Sequence, residues 1–108
     1  MKHCISEVEF TDHAFEKVDG SEKSRCKLPE SIIEKWIHRR TGNQFYDKEE
    51  DTLLFINQKT VVVTDYEPED DVWVVVTVYR SQSPGKQGLD RYSQVSPEDF
   101  KQSRRENQ

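Results

Sequence analysis

Thr77, Tyr79 and Arg80 close the longest run of β-branched and aromatic residues in the chain, Val72-Trp73-Val74-Val75-Val76-Thr77-Val78-Tyr79-Arg80. A hydroxyl, a phenol and a guanidinium at the end of a rigid strand are suited to holding a phosphate. His13 offers a second group. It lies near the expected start of a helix, where free amides attract anions and favour a neutral imidazole. A neutral imidazole beside an anion site can act as a general base. Lys17 follows one helical turn later, on the same side. His38, Arg39 and Arg40 form a third cluster, a candidate substrate-binding footprint for RNA. Each group also has a plainer reading. His13 is then a capping or surface residue, Lys17 a solvated cation, and Tyr79 a core aromatic whose hydroxyl reaches water. Arg80 then pairs with a rim carboxylate, and the His38–Arg40 cluster completes a helix C-terminus.

The elements that must position these groups follow from patterning. Ile5 to Phe10 alternates apolar and polar residues, as a short strand or an extended lead-in. Thr11 or Asp12 can cap a helix over His13 to Val18, with Ala14, Phe15 and Val18 on one stripe. Asp19 to Ser24 is polar and turn-like. Pro29 suits the first position of a second helix, whose apolar face carries Ile32, Ile33, Trp36 and Ile37. Gly42 is expected to stop it as a left-handed cap. Strands are expected over Asn43–Asp47, Leu53–Ile56, Thr60–Tyr66 and Val72–Arg80, with a tight turn at 57–59 in which Asn57 takes positive φ. Alternation on the last strand places Trp73, Val75, Thr77 and Tyr79 on one face and Val72, Val74, Val76, Val78 and Arg80 on the other. Short connections imply an antiparallel meander. The expected fold is therefore α+β: two N-terminal helices packed on a three- to four-stranded antiparallel meander, with a short C-terminal tail or helix. Residues 1–80 make one compact domain. Residues 81–108 read as a polar tail, with a short helix over 97–105 started by Ser96-Pro97.

The chain has 108 residues and a formal net charge of −5, which argues against a simple nucleic-acid binder. The acidity is concentrated. Asp47, Glu49, Glu50 and Asp51 form one cluster, and Asp65, Glu67, Glu69, Asp70 and Asp71 another. Setting these aside with Lys48 leaves 12 acids against 15 Lys and Arg, a net positive remainder. A meander puts both clusters at the same rim. Cys4 and Cys26 match no zinc or redox spacing and read as free thiols. No apolar run reaches the ~20 residues that cross a bilayer, and the N-terminus lacks a secretory pattern, so a cytoplasmic protein without a membrane partner is expected. No phosphate loop, hydrolase triad or closed calcium loop is present, and neither a metal nor a cofactor is expected.

Phe10-Thr11-Asp12-His13-Ala14, with Lys17 following and the Val72–Arg80 strand at the end, resembles a bacterial domain-of-unknown-function family over about Phe10 to Arg80. That family is similar to the BrnT and RelE toxins and colicin-type nucleases, with the barnase–EndoU–colicin–RelE fold. The resemblance implies metal-independent RNA cleavage by attack of a ribose 2′-OH on the adjacent phosphate. In it His13 would be the acid or base. Lys17 and Arg80 would stabilise the phosphate charge, and Thr77 and Tyr79 would position substrate or donate a proton. It also implies a cognate antitoxin. Two other readings stand beside it. One is a noncatalytic protein-interaction or regulatory module of a mobile genetic element. The other is an acidic immunity-like or nucleic-acid-mimic protein, in which the 47–51 and 65–71 carboxylates form one surface beside aromatic anchors.

Overall fold

In the computed structural model of the protein, residues 8–17, 29–80 and 91–106 are described. Their elements are β1 (Val8–Phe10), α1 (Asp12–Lys17), α2 (Glu30–Arg39), β2 (Asn43–Asp47), β3 (Thr52–Asn57), β4 (Thr60–Glu67), β5 (Val72–Arg80), β6 (Tyr92–Gln94) and α3 (Pro97–Glu106). The strands form one sheet in the order β1-β5-β4-β3-β2-β6. Strands β2 to β5 pair antiparallel in sequence, and β6 pairs antiparallel with β2. β1 lies parallel to β5, with Val8 opposite Trp73 and Phe10 opposite Val75.

The expected α+β architecture of two N-terminal helices on a three- to four-stranded meander is thereby corrected. The described chain opens on a strand, its one mixed sheet has six strands, and its three helices are short. Two physical reasons account for the difference. The alternation of Ile5 to Phe10 allowed a short strand but not its place beside β5, and three-residue β6 carries too little alternation to announce itself; both are strands because an open sheet edge pairs with them. The polar tail also adds to the sheet and to the core. β6 extends the sheet, and Phe100 of α3 is 2% exposed. Cys4, Cys26 and the 19–27 segment lie outside the described residues.

One face of the sheet carries the main core. Val8, Leu53, Phe55, Val62, Tyr66, Trp73, Val75 and Val78 meet Ala14 of α1, Ile33 and Ile37 of α2, and Phe100 of α3. Ile33 and Ile37 are one turn apart, so the α2 stripe aims at the sheet. Leu54, Ile56 and Val61 are buried on the opposite face, with Phe45, Val63 and Tyr92 beside them.

β5 does not alternate throughout. Val63 faces Thr77, whereas Thr64 faces Val75, so Val76 is an extra residue in the ladder. Such a bulge reverses which side chains face which way beyond it. Trp73, Val75 and Val78 therefore share the helix-covered face. Thr77 and Tyr79 stand opposite Val63 and Val61 and belong to the other face. The expected grouping of Trp73 and Val75 with Thr77 and Tyr79 is corrected accordingly. Thr11 serves the bulge directly. Its hydroxyl donates to the Val76 carbonyl at 2.9 Å and accepts from the Ala14 N–H at 3.0 Å, so it also caps α1.

Two turn assignments also change. α2 ends on Arg40, at φ 55°, and Gly42 lies beyond it. The Arg40 guanidinium satisfies the last turn by donating to the carbonyls of Ile37 at 2.7 Å and His38 at 3.2 Å. Gly42 is required for a separate reason. At φ 76°, a Cβ there would lie 2.1 Å from the Ile56 carbonyl oxygen. In the 57–59 turn, positive φ falls on Gln58.

Candidate functional site: an acidic rim clamped by arginines

The β2–β3 and β4–β5 turns emerge at the same end of the sheet, which brings the two acidic clusters together. Each turn repeats one device. A tyrosine on the incoming strand bonds, through its hydroxyl, an aspartate five residues later: Tyr46 with Asp51, and Tyr66 with Asp71. Both aspartates sit at positive φ, 57° and 51°, a conformation that aspartate tolerates better than most residues. Consecutive arginines of α3 then serve the two turns. Arg104 donates to Asp65 at 2.8 Å and to both Asp51 carboxylate oxygens at 3.0 Å, joining the two clusters. Arg105 donates to the Tyr66 hydroxyl at 3.1 Å and lies 3.6 Å from Asp71.

A second clamp holds the outer side. Asp47 is 4% exposed and accepts from Arg91 through both oxygens, at 2.8 and 2.9 Å. Its Oδ1 also accepts the backbone N–H groups of Glu49 and Glu50, which shapes the turn. Arg91 continues to Glu49 at 3.2 Å.

The ionisations follow from these contacts. Arg91 holds the Asp47 carboxyl below the usual carboxylate range, against a burial cost. The Tyr46 hydrogen bond and the Arg104 guanidinium do the same for Asp51. Tyr46 is pushed up by its bond to Asp51, and Tyr66 by burial and then by Asp71. Burial lowers the tendency of Arg104 to stay charged, but its bonds to Asp65 and Asp51 outweigh that and raise its pKa.

An aromatic floor lies behind the rim. Phe100 stacks on Trp73, with centroids 6.0 Å apart and planes at 15°, and lies 6.1 Å from Tyr46. Trp73 in turn is 5.2 Å from Tyr66. The Lys101 ammonium stands over the rings of Tyr66 and Trp73, and the Arg104 guanidinium over Phe100 at 4.5 Å. Not all the negative charge is used. Among the described residues no cation pairs with Glu50, Glu67 or Glu69.

The residues singled out from the sequence lie elsewhere. His13 is exposed on α1, and among the described residues no hydrogen bond or ion pair joins it to Thr77, Tyr79 or Arg80. Lys17 is the last residue of α1. Thr77 is half-buried on the Val61–Val63 face, and Tyr79 beside it is 41% exposed. Burial pushes the Tyr79 phenol up. Arg80 is exposed and, one residue on, points to the other face of the sheet. His38 and Arg39 are exposed at the end of α2, while Arg40 is turned into the α2 carbonyls and an ion pair with Glu98. The structure thus groups Thr77 with Tyr79 and separates both from Arg80.

Sequence reasoning missed Tyr46, Tyr66, Arg91, Phe100, Arg104 and Arg105. The repeated five-residue spacing from tyrosine to aspartate was the available signal. Among the described residues no three His, Cys, Asp or Glu side chains are grouped so as to hold a metal ion, and no helix is long and apolar enough to cross a membrane. No family model, curated protein or solved structure matches the chain.

Proposed function

We propose that this chain is a protein-interaction module whose working surface is the acidic rim and whose partner is a basic protein segment. The observation that carries the reading is the bridge of Arg104 between Asp51 and Asp65, which makes two acidic turns one surface. Glu50 and Glu69 extend that surface, with no cation paired to either among the described residues. Carboxylates held close together repel one another, and a fold has no need of the surplus. A cationic partner gains from the surplus through steering and complementarity. The same field repels the phosphates of RNA, and Tyr79 and Arg80 point away from each other.

The test is fluorescence anisotropy with a labelled arginine-rich helical peptide and, separately, a labelled RNA oligonucleotide. The expected result is peptide binding that weakens about tenfold in a Glu50→Lys/Glu69→Lys variant and falls with salt, since screening shortens to ~3 Å at 1 M. Absence of peptide binding by the folded chain would overturn the reading. So would RNA cleavage abolished by His13→Ala or Arg80→Ala, which would establish the nuclease alternative.

A further inference from the structure

We propose that α3 is a releasable latch: it occupies the aromatic groove behind the acidic rim and comes away as a unit while the sheet stays folded. Release would open the groove to a helix of the same pattern from a partner, and that second clause rests on the interaction reading above.

α3 has little to keep it helical by itself. It has ten residues, too short to be helical alone in water, where isolated helices below ~12–15 residues are marginal. Its buried residues are Pro97 and Phe100. Its remaining attachments are electrostatic and arranged by polarity. Glu98 in the first turn pairs with Arg40 of α2, and Arg104 and Arg105 in the last turn meet Asp51, Asp65 and Asp71. The helix is therefore held by Pro97 and the Phe100 ring, by Lys101 over Tyr66 and Trp73, and by two charged ends. Arg105 and Asp71 are about half exposed and Glu98 is exposed, so salt reaches those contacts, while Arg104 is largely covered.

The groove is formed by groups that belong to the sheet. Trp73 is fixed by β5 pairing with β1 and β4, and Tyr66 by β4. Removing α3 leaves those ladders intact. A trans helix that fits would carry a carboxylate near its start, an aromatic two residues on, and paired arginines four and five residues after the aromatic. Such a helix competes with a tethered one whose effective concentration is in the millimolar range, so the closed protein resists it.

Two measurements on the full-length chain test the proposal. The first is native-state hydrogen exchange, comparing amides of 100–106 with those of β4. The expected result is α3 exchange through its own opening, at least tenfold faster than β4, and accelerated several-fold between ~0.05 and ~0.5 M salt. Exchange of α3 in step with β4, or independent of salt, would overturn the latch. The second measurement is titration with a labelled peptide of the 95–106 sequence. Binding at least tenfold tighter to Phe100→Ala than to the parent chain is expected. Equal affinity for both would place the peptide elsewhere and overturn groove occupancy. Arg104→Gln, which leaves the core ring in place, serves as the second variant and is expected to shift in the same direction by a smaller factor. If α3 opens as described but arginine-rich peptides do not bind the rim, the interaction reading fails and the latch stands.

Discussion

Phe100→Ala removes the ring that ties α3 to the sheet, and its effect can be worked from the contacts. The side chain is 2% exposed, stacked on Trp73 and covered by Arg104. A phenylalanine buried in a core buries on the order of 200 Å², worth about 5 kcal/mol at ~25 cal/mol/Å² as an upper bound. Measured Phe→Ala losses in cores run about 3–5 kcal/mol. A releasable helix limits the loss, because once docking costs more than it returns, α3 undocks and no further stability can be lost. The expected result is a loss near the lower end, about 3 kcal/mol, with the sheet still folded, since small domains hold ~5–15 kcal/mol. Urea unfolding followed by circular dichroism gives the loss. Tryptophan emission in a Trp36→Phe background reports Trp73 alone, and native-state emission is expected to shift to the red as the indole meets water. A loss below about 1 kcal/mol would show that the ring does not hold the helix. A full loss with unshifted emission would show that α3 stays docked without it. Either result refutes the reasoning.

Three other perturbations test the account elsewhere. Thr11→Val keeps the shape but removes both bonds of the hydroxyl, to Ala14 and to the Val76 carbonyl at the bulge. Denaturant titration is expected to show a loss of about 1–3 kcal/mol, and a loss within error would mean the bulge does not depend on it. Gly42→Ala places a methyl against the Ile56 carbonyl at positive φ, and the expected loss of roughly 2 kcal/mol or more is readable as a lowered midpoint at unchanged m. The pH profile follows from the clamped carboxylates. Asp47, Asp51 and Glu98 have lowered values in the folded state. Their contribution is fully present above the unfolded carboxylate range of about 4 and is lost as pH falls through the lowered folded values. Tyr46 and Tyr66 are raised, so their contribution is present below about pH 10 and lost as pH rises through the raised values. Thermal midpoints are thus expected to fall below about pH 4 and again above about pH 10, and a profile without the fall in acid would contradict the clamped carboxylates.

Local structure was legible where a segment carried its own pattern. The Ile33/Ile37 stripe, the Val72–Arg80 run and the Ser96-Pro97 start each mark an element that stands at those residues. Their assembly was not legible. The pairing of β1 and β6 depends on sheet edges that the sequence does not display, and the bulge at Val76 receives the Thr11 hydroxyl from 65 residues away. That one extra residue decided the side of the sheet on which Thr77 and Tyr79 stand. The acidic clusters were visible as charge, but their use was not. Arg91, Arg104 and Arg105 lie in a segment whose polar composition resembles a tail. Phe100 and Val95 are its main apolar positions packed on the core, too few to register as an amphipathic pattern.

The most direct test of the central claim is a nuclear magnetic resonance titration of the isotope-labelled full-length chain with the arginine-rich helical peptide. The account predicts that amide shifts concentrate at 47–51 and 65–71 and spread into α3, and that they vanish in the Glu50→Lys/Glu69→Lys variant. Shifts centred on His13 and Thr77–Arg80, or no shifts from a folded protein at millimolar peptide, would contradict it.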